Sequence, residues 1–333
     1  MIEFQPLLSA LRVAGPSSAS VLGDALECSP QTLVNLLERA RDAGLITFTL
    51  DGDVQLCDSL DLLDAHAIEA GLREGLGVGF QSLDVLYETD STNAYLTRKL
   101  QQGSFALADG ACVCLAEYQS SGRGRRGRSW SGDFGASVLA SVLFKFPSSV
   151  RLDGLSLALG VAVVRGLAEL GVTGVGLKWP NDLLVHGRKA AGILVESRAS
   201  PERGWYTISG VGLNVHAPYS NSPEIDQPWI ALDELVPARA CRTQVAVSLL
   251  TQVIKVLQQY RDVGFAGLRQ EWLSMDLTAG RRLRMTTADG SVMGIGRGVD
   301  AGGALRVEID GAIEIFHSAD VSLRIDNSEV GRK

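Results

Sequence analysis

Apolar positions recur at helical intervals in the first part of the chain and at alternating, strand-like intervals further on. Leu7, Leu8 and Leu11 open a short helix that should stop at Gly15-Pro16, and a second should begin near Ser18 with Val21, Leu22 and Leu26. Ser29 can cap a third helix with Pro30 at its first position; Leu33, Leu36, Leu37 and Ala40 follow at helical spacing, and Gly44 is the expected stop. Residues 45–50, the turn Asp51-Gly52-Asp53 and residues 54–56 predict a β-hairpin. Three short helices and a hairpin are the pattern of a winged helix-turn-helix, so residues 1–62 are expected to form a separate module. A helical protein-interaction module fits the same pattern.

Residues 63–80 read as a linker, helical early and glycine-punctuated late. Residues 81–275 alternate strand-like and helix-like runs. Strands are predicted at 83–87, 111–118, 137–146, 175–179, 182–185, 192–196 and 205–213, with long helices at 155–170 and 244–260. Several of these strands are close enough to be hairpins, which predicts a mixed α+β sheet and not a doubly wound one. Residues 276–333 show short strands with turns at 288–290, 300–303 and 310–311, the pattern of a small β-barrel.

A chain of 333 residues, 46% hydrophobic and 21% charged, can bury two or three cores. The net charge of −7 excludes a protein built mainly to coat nucleic acid or an anionic membrane, so any phosphate-binding surface must be a local patch. Five cysteines without CxxC spacing and four scattered histidines suggest neither a disulfide framework nor a metal site. Cys112 and Cys114 read as one face of a buried strand. No basic leader precedes a long apolar core, and the longest uncharged apolar stretch, residues 154–164, is short of the ~20 residues that span a bilayer. A cytoplasmic location with no membrane partner is expected.

One local patch stands out: Ser121-Gly-Arg-Gly-Arg-Arg-Gly-Arg-Ser-Trp130. Arg123, Arg125, Arg126 and Arg128 interleave with Gly122, Gly124 and Gly127 directly after a predicted strand. Glycine lets backbone approach a ligand closely, and arginine offers a planar charged fork for carboxylate or phosphate. In an acidic protein this density of positive charge implies a polyanionic ligand. The segment also spells G-x-G-x-x-G, but no helix start and no acidic residue follow as a dinucleotide fingerprint requires, and no P-loop motif exists in the chain.

A second constellation is Lys178-Trp-Pro-Asn-Asp182, continued by Arg188-Lys189-Ala-Ala-Gly-Ile-Leu-Val-Glu196. It reads as strand, turn, strand, with Lys189 past the turn and Gly192 allowing close approach. A third is Glu88-Thr-Asp-Ser-Thr-Asn93, whose plainest reading is a helix N-cap.

In order along the chain, these three pieces resemble the biotin–protein ligases. The run Gly210-Val-Gly-Leu-Asn214 and Trp229-Ile-Ala-Leu232, after a polar loop from His216 to Pro228, are similar to that family as well. The resemblance covers nearly the whole chain, because bacterial bifunctional ligase/repressors carry the same winged-helix front and a small SH3-like barrel behind the catalytic domain. It implies that biotin is activated with ATP to biotinyl-5'-AMP and then passed to a lysine of the biotin carboxyl carrier protein of acetyl-CoA carboxylase. It also implies a biotinyl-AMP-dependent repressor of biotin synthesis and a homodimer promoted by ligand. The alternatives are a ligase with a degenerate helix-turn-helix, or a lipoate ligase or octanoyl transferase relative.

The resemblance assigns Ser91, Thr92, Asn93, Gln119, Arg123, Gly124, Arg125 and Lys189 to biotin. Arg123, Arg125, Arg126, Arg128, Trp130, Asn181, Asn214 and Trp229 fall to ATP and the adenylate. Positive charge is needed where a carboxylate approaches a triphosphate, which suits Arg125 and Lys189; Asp182 is the expected base or orienting group for the acceptor lysine. Magnesium is expected on the triphosphate, held by phosphate oxygens and water. On the third helix Gln31, Thr32 and Asn35 can read bases, but the tip Asp51-Gly52-Asp53 is acidic, so operator DNA is expected to be bound only by a ligand-loaded dimer. A fragment starting near residue 75 is expected to keep ligase activity.

Overall fold

The computed structural model describes residues 4–58, 60–103, 110–200, 204–217, 227–287, 290–317 and 322–325. The expected turn at 288–290 falls largely outside them, as does most of the loop between His216 and Pro228.

The chain opens with three helices, α1 (Gln5–Ala14), α2 (Ala19–Ala25) and α3 (Pro30–Asp42), and a hairpin of β1 (Ile46–Phe48) and β2 (Val54–Leu56). The local signals act as expected. Ser18 and Ser29 accept hydrogen bonds from Val21 N and Thr32 N as N-caps, Pro30 starts α3, and Gly44 takes φ 71° after it. Leu7, Leu8, Leu22, Leu33, Leu36 and Leu37 face inward and form their own core cluster. That cluster also receives Phe134 from the middle of the chain.

Helix α4 (Ala65–Leu76) follows, capped by the Asp64 carboxylate. The linker is helical early, and this helix is not free: Ile68 and Leu72 are fully buried in the main core.

The centre is a seven-stranded mixed sheet in the order β3-β4-β5-β9-β8-β7-β6. Its strands are β3 (Phe80–Thr89), β4 (Ala111–Gln119), β5 (Ser137–Phe146), β6 (Val175–Lys178), β7 (Asp182–Val185), β8 (Arg188–Ser200) and β9 (Gly204–Asn214). Only β3 and β4 run parallel. All seven predicted strands are present, with ends moved by a few residues. Side chains alternate across the sheet. Val113 and Leu115 join the large core under α4, α6 (Leu155–Glu169) and α7 (Arg242–Val263), whereas Cys112 and Cys114 pack with Leu96 of α5 (Thr92–Gln101) on the other face.

After α8 (Arg269–Ser274) the chain forms an antiparallel sheet in the order β13-β12-β11-β10-β14. Its strands are β10 (Arg282–Thr287), β11 (Gly290–Val299), β12 (Leu305–Ile309), β13 (Ala312–Phe316) and β14 (Ser322–Ile325). Among the described residues β13 and β14 are not paired, so the sheet is open. The segment leading into it pairs with β6 through Leu177 N to Met275 O and Leu277 N to Leu177 O, and the Trp179 indole N–H donates to Gly303 O between β11 and β12. Among the described residues no helix is long and apolar enough to cross a membrane.

Candidate active site

The site lies on the face of the central sheet that carries α5. Along β9, Gly210 and Gly212 point to this face, and Ser141 of β5 is paired with Gly210. A Cβ on Gly210 would stand 2.6 Å from Asn93 Oδ1, so the glycine makes room for the first turn of α5. That turn is tied down by polar groups. The Thr92 backbone N–H and hydroxyl both donate to Gln119 Oε1, at 2.8 and 3.0 Å. Ser141 Oγ is fully buried and 2.6 Å from both Thr92 Oγ1 and Asn93 Oδ1, so its single proton serves one of them at a time. Ser91 occupies the N-cap position but its hydroxyl makes no cap bond. The plain N-cap reading therefore explains the position of Ser91 but not its side chain.

The arginine-rich segment folds back on itself as a narrow hairpin. Trp130 N donates to Gly122 O (2.8 Å) and Gly124 N to Arg128 O (2.7 Å). A Cβ at Gly122 would meet Trp130 O at 2.4 Å, so only glycine permits this pinch. Arg126 at φ 57° and Gly127 at φ 72° turn the tip. Arg123 is anchored to Glu196 Oε2 (3.2 Å), which also accepts from Asn93 Nδ2 (2.8 Å). Burial, and then the neighbouring Arg128, disfavour the charge on Arg125, and Asp182 offsets them in part.

Lys189 reaches this face because of a register shift. Asp182 pairs with Gly192 and Leu183 with Ala191, but Leu184 pairs with Lys189, leaving Ala190 as the extra residue of a β-bulge. One inserted residue reverses the alternation, so Lys189 and Gly192 share a face. Lys189 Nζ stands 2.8 Å from Asp182 Oδ1 as an ion pair without hydrogen-bond alignment. It also lies 5.5 Å from the centre of the Trp130 ring. On the other side, Lys189 N donates to Pro228 O and Ile230 N to Lys189 O, which seats Trp229 beside it. The Asn214 amide bonds the Lys189 and Ile230 carbonyls, and Asn181 bonds Ile193 O.

These residues border two cavities that meet at Trp130 and Lys189. The smaller, about 90 Å³, is lined by Ser91, Thr92, Asn93, Gln119, Arg123, Gly124, Arg125 and Lys189 among others. All residues expected to hold biotin are thus brought together. The larger, about 1360 Å³, is lined by Arg125, Arg126, Arg128, Trp130, Asn181, Asn214 and Trp229, so of the expected adenylate set only Arg123 stands apart. Lys178, quoted in the second motif without a role, and Arg281 and Arg324, outside every motif, add positive charge, and Asp182 is the one acidic residue among the described lining. Burial pushes the Lys178 ammonium down from its usual range; Asp182 opposes this, while Lys189, Arg128 and Arg324 add to it. Ser141 and Glu196 were also missed as site residues; a serine inside the apolar run of β5 was the available signal. Gln31, Thr32 and Asn35 lie elsewhere, exposed together on α3.

A model of the biotin/lipoate A/B protein ligase family matches residues 85–214, and one of the biotin protein ligase C-terminal domain matches residues 278–324. The bifunctional ligase/repressor BirA of Salmonella typhimurium is 33% identical over 96% of both chains. The chain belongs to the biotin protein ligase family. A biotin–[acetyl-CoA-carboxylase] ligase from Mycobacterium tuberculosis is 37% identical over 76% of this chain and 94% of its own. A biotin protein ligase from Aquifex aeolicus in complex with biotin and ATP superposes with a TM-score of 0.63 at 26% identity, covering 74% of this chain and all of that one. Membership in this family accounts for the order of the three motifs along the chain and for the sheet that gathers them.

Proposed function

We propose that this chain condenses biotin with ATP to biotinyl-5'-AMP and transfers biotin to a lysine of a biotin carboxyl carrier protein. The observation that carries the reading is Lys189, which stands where the small polar cavity meets the large cationic one. In the first step a biotin carboxylate oxygen bonds to the α-phosphorus, and the bond to the bridging oxygen of pyrophosphate breaks. Two unit charges about 4 Å apart interact by about 4 kcal/mol at the effective dielectric of a protein site, so cations placed between the two anions offset a repulsion of that order. Arg125 and Lys189 hold that place. Thr92, Asn93 and Gln119 meet the polar bicycle of biotin, with Ser91, Arg123 and Gly124 around it, and Trp229 covers the nucleotide. Arg126, Arg128, Trp130, Asn181 and Asn214 complete the adenylate side.

In the second step the acceptor amine bonds to the acyl carbon and AMP leaves. An ordinary lysine is protonated at neutral pH, and Asp182 is the carboxylate that can orient it or take its proton. Magnesium is proposed to enter as part of the nucleotide substrate. An ion that enters in this way is held by phosphate oxygens and water. Pyrophosphate release with biotin, set against lipoate and no acid, tests the reading.

The same proposal gives the N-terminal helices and hairpin a repressor role as a winged helix-turn-helix, and the C-terminal sheet the identity of an SH3-like barrel. The BirA relatives named as ligase/repressors support the first. Binding to operator DNA is assigned to the ligand-loaded homodimer, with Gln31, Thr32 and Asn35 facing the bases.

A further inference from the structure

The residues that join the N-terminal helices to the rest of the chain are bonded more heavily than a linker needs. The fully buried Arg242 donates to Glu117 Oε2 (2.6 Å), to Ser137 O and to the carbonyl of Asp61, and Glu117 Oε1 accepts from Leu63 N (2.7 Å). A buried guanidinium must be paired and hydrogen-bonded, and these partners satisfy it. They leave one feature without a purpose. The Asp61 carboxylate also reaches His216, with Oδ2 3.2 Å from Nε2, while its other contact is Arg242 N at 2.7 Å. Burial opposes the charge on Asp61, but the bonds from His216 and Arg242 outweigh it and hold its carboxyl below the usual range.

His216 is 3% exposed and lies two residues past the end of β9. Its Nδ1 lies 2.7 Å from Asp233 Oδ2, and Asp233 N donates to Val215 O. Asp233 belongs to the short turn Leu232–Glu234, which stands just beyond Trp229 and Ile230, the pair seated on Lys189. A chain of contacts thus runs from Asp61 through His216 to Asp233, and the backbone carries it over four residues to Trp229. The arginine hairpin ends on the same ground: Phe134, four residues past Trp130, packs with Leu60 and Leu62, and a Cβ on Gly135 would meet Leu60 at 2.8 Å.

We propose that Asp61 and His216 are positioning residues for the nucleotide side of the site, so that the seat of the N-terminal module sets where Trp229 stands against Lys189. This rests on the reading that Trp229 and Lys189 meet the adenylate. The contact predicts coupling between module and nucleotide without any residue of the module entering the cavity. A chain of packed groups of this kind carries on the order of 1 kcal/mol, about a fivefold change in affinity.

The test uses the full chain with Asp61→Ala, His216→Ala and the double variant. KM for ATP should rise about fivefold in each single variant, with KM for biotin held within about twofold, and the double variant should be no worse than either. Hydrogen exchange at the Lys189 and Ile230 amides should quicken while β5 stays protected. An unchanged KM for ATP overturns the proposal, as does an effect of Asp61→Ala that His216→Ala does not reproduce, since the loss then runs through Arg242. If the alanine variants fail to fold, Asp61→Asn and His216→Gln read the same ratio. A wild-type protein that releases no pyrophosphate with biotin would defeat the functional reading, while the exchange comparison would still judge the Asp61–His216 contact.

Discussion

Gly192 and Gly212 stand opposite each other in the β8–β9 ladder, and the Trp130 indole lies over both. A Cβ at Gly212 would come within 2.5 Å of Trp130 Cε2, and one at Gly192 within 2.9 Å of Cζ3. The indole borders both cavities, so this platform fixes a wall that they share. Gly212→Ala should displace Trp130 or cost about 1–3 kcal/mol by overpacking, and weaken biotin binding in either case. Calorimetry with biotin, paired with a thermal melt, checks it; unchanged affinity and melting would mean that the platform does not hold the ring.

Arg125→Ala and Lys189→Ala should each slow adenylate formation by at least about tenfold in a protein that stays folded, because each leaves an anion uncompensated where charge crowds. Single-turnover formation of biotinyl-AMP is the measurement. A normal rate in both variants contradicts the proposed first step.

Asp182→Asn should separate the two steps. The amide keeps the shape but can neither hold Lys189 by charge nor take a proton, so transfer from preformed adenylate should fall by about tenfold or more. Adenylate formation should fall less. Equal losses in both would place Asp182 with Lys189 alone and remove it from the transfer.

The structure opposes a ligase fragment that begins near residue 75. Leu63, Ile68 and Leu72 are buried in the main core, so such a cut removes three apolar side chains from beneath the catalytic sheet. Core truncations of this kind cost about 2–5 kcal/mol for each large side chain. The fragment should be aggregated or poorly folded, whereas one beginning at residue 60 should stay soluble. Urea titration of the two fragments decides between them.

Much of the fold was legible because its signals are local. Helix caps, glycine stops and alternating strands were read correctly, and the arginine hairpin declared itself by composition. What stayed hidden depends on pairing across the sheet. Lys189 faces the site only because of the bulge at Ala190, and that register needs β7 in place. Ser141 and Glu196 act through Thr92, Asn93 and Arg123, partners far away in sequence. His216 reads in the sequence as one of four scattered histidines and Arg242 carries no signal at all; only the fold brings Asp61 and Glu117 beside them. The expected biotin and adenylate sets come from family resemblance, not from spacing, and the structure gathers them around the two cavities.

The N-terminal module should bind DNA weakly at best on its own. Arg12 is bonded to Leu63 O, Arg39 stacks over Phe4 and Arg41 pairs with Asp42, while the tip at Leu50 to Asp53 offers no cation. Phosphate contacts supply most non-specific affinity. Gel-shift titrations with DNA from upstream of its own gene should show retardation only with biotin and ATP present. Equal retardation without ligand would contradict the dependence on a loaded dimer, and none in either state would remove the repressor role.

The central claim is adenylation of biotin at the cavity junction marked by Lys189. The direct measurement is mass detection of the acyl-adenylate, with pyrophosphate counted, after the full chain meets ATP and magnesium with biotin, lipoate, octanoate or no acid. Biotinyl-AMP and stoichiometric pyrophosphate with biotin alone are the predicted result. An adenylate formed equally well with lipoate or octanoate, or none with biotin, would contradict it.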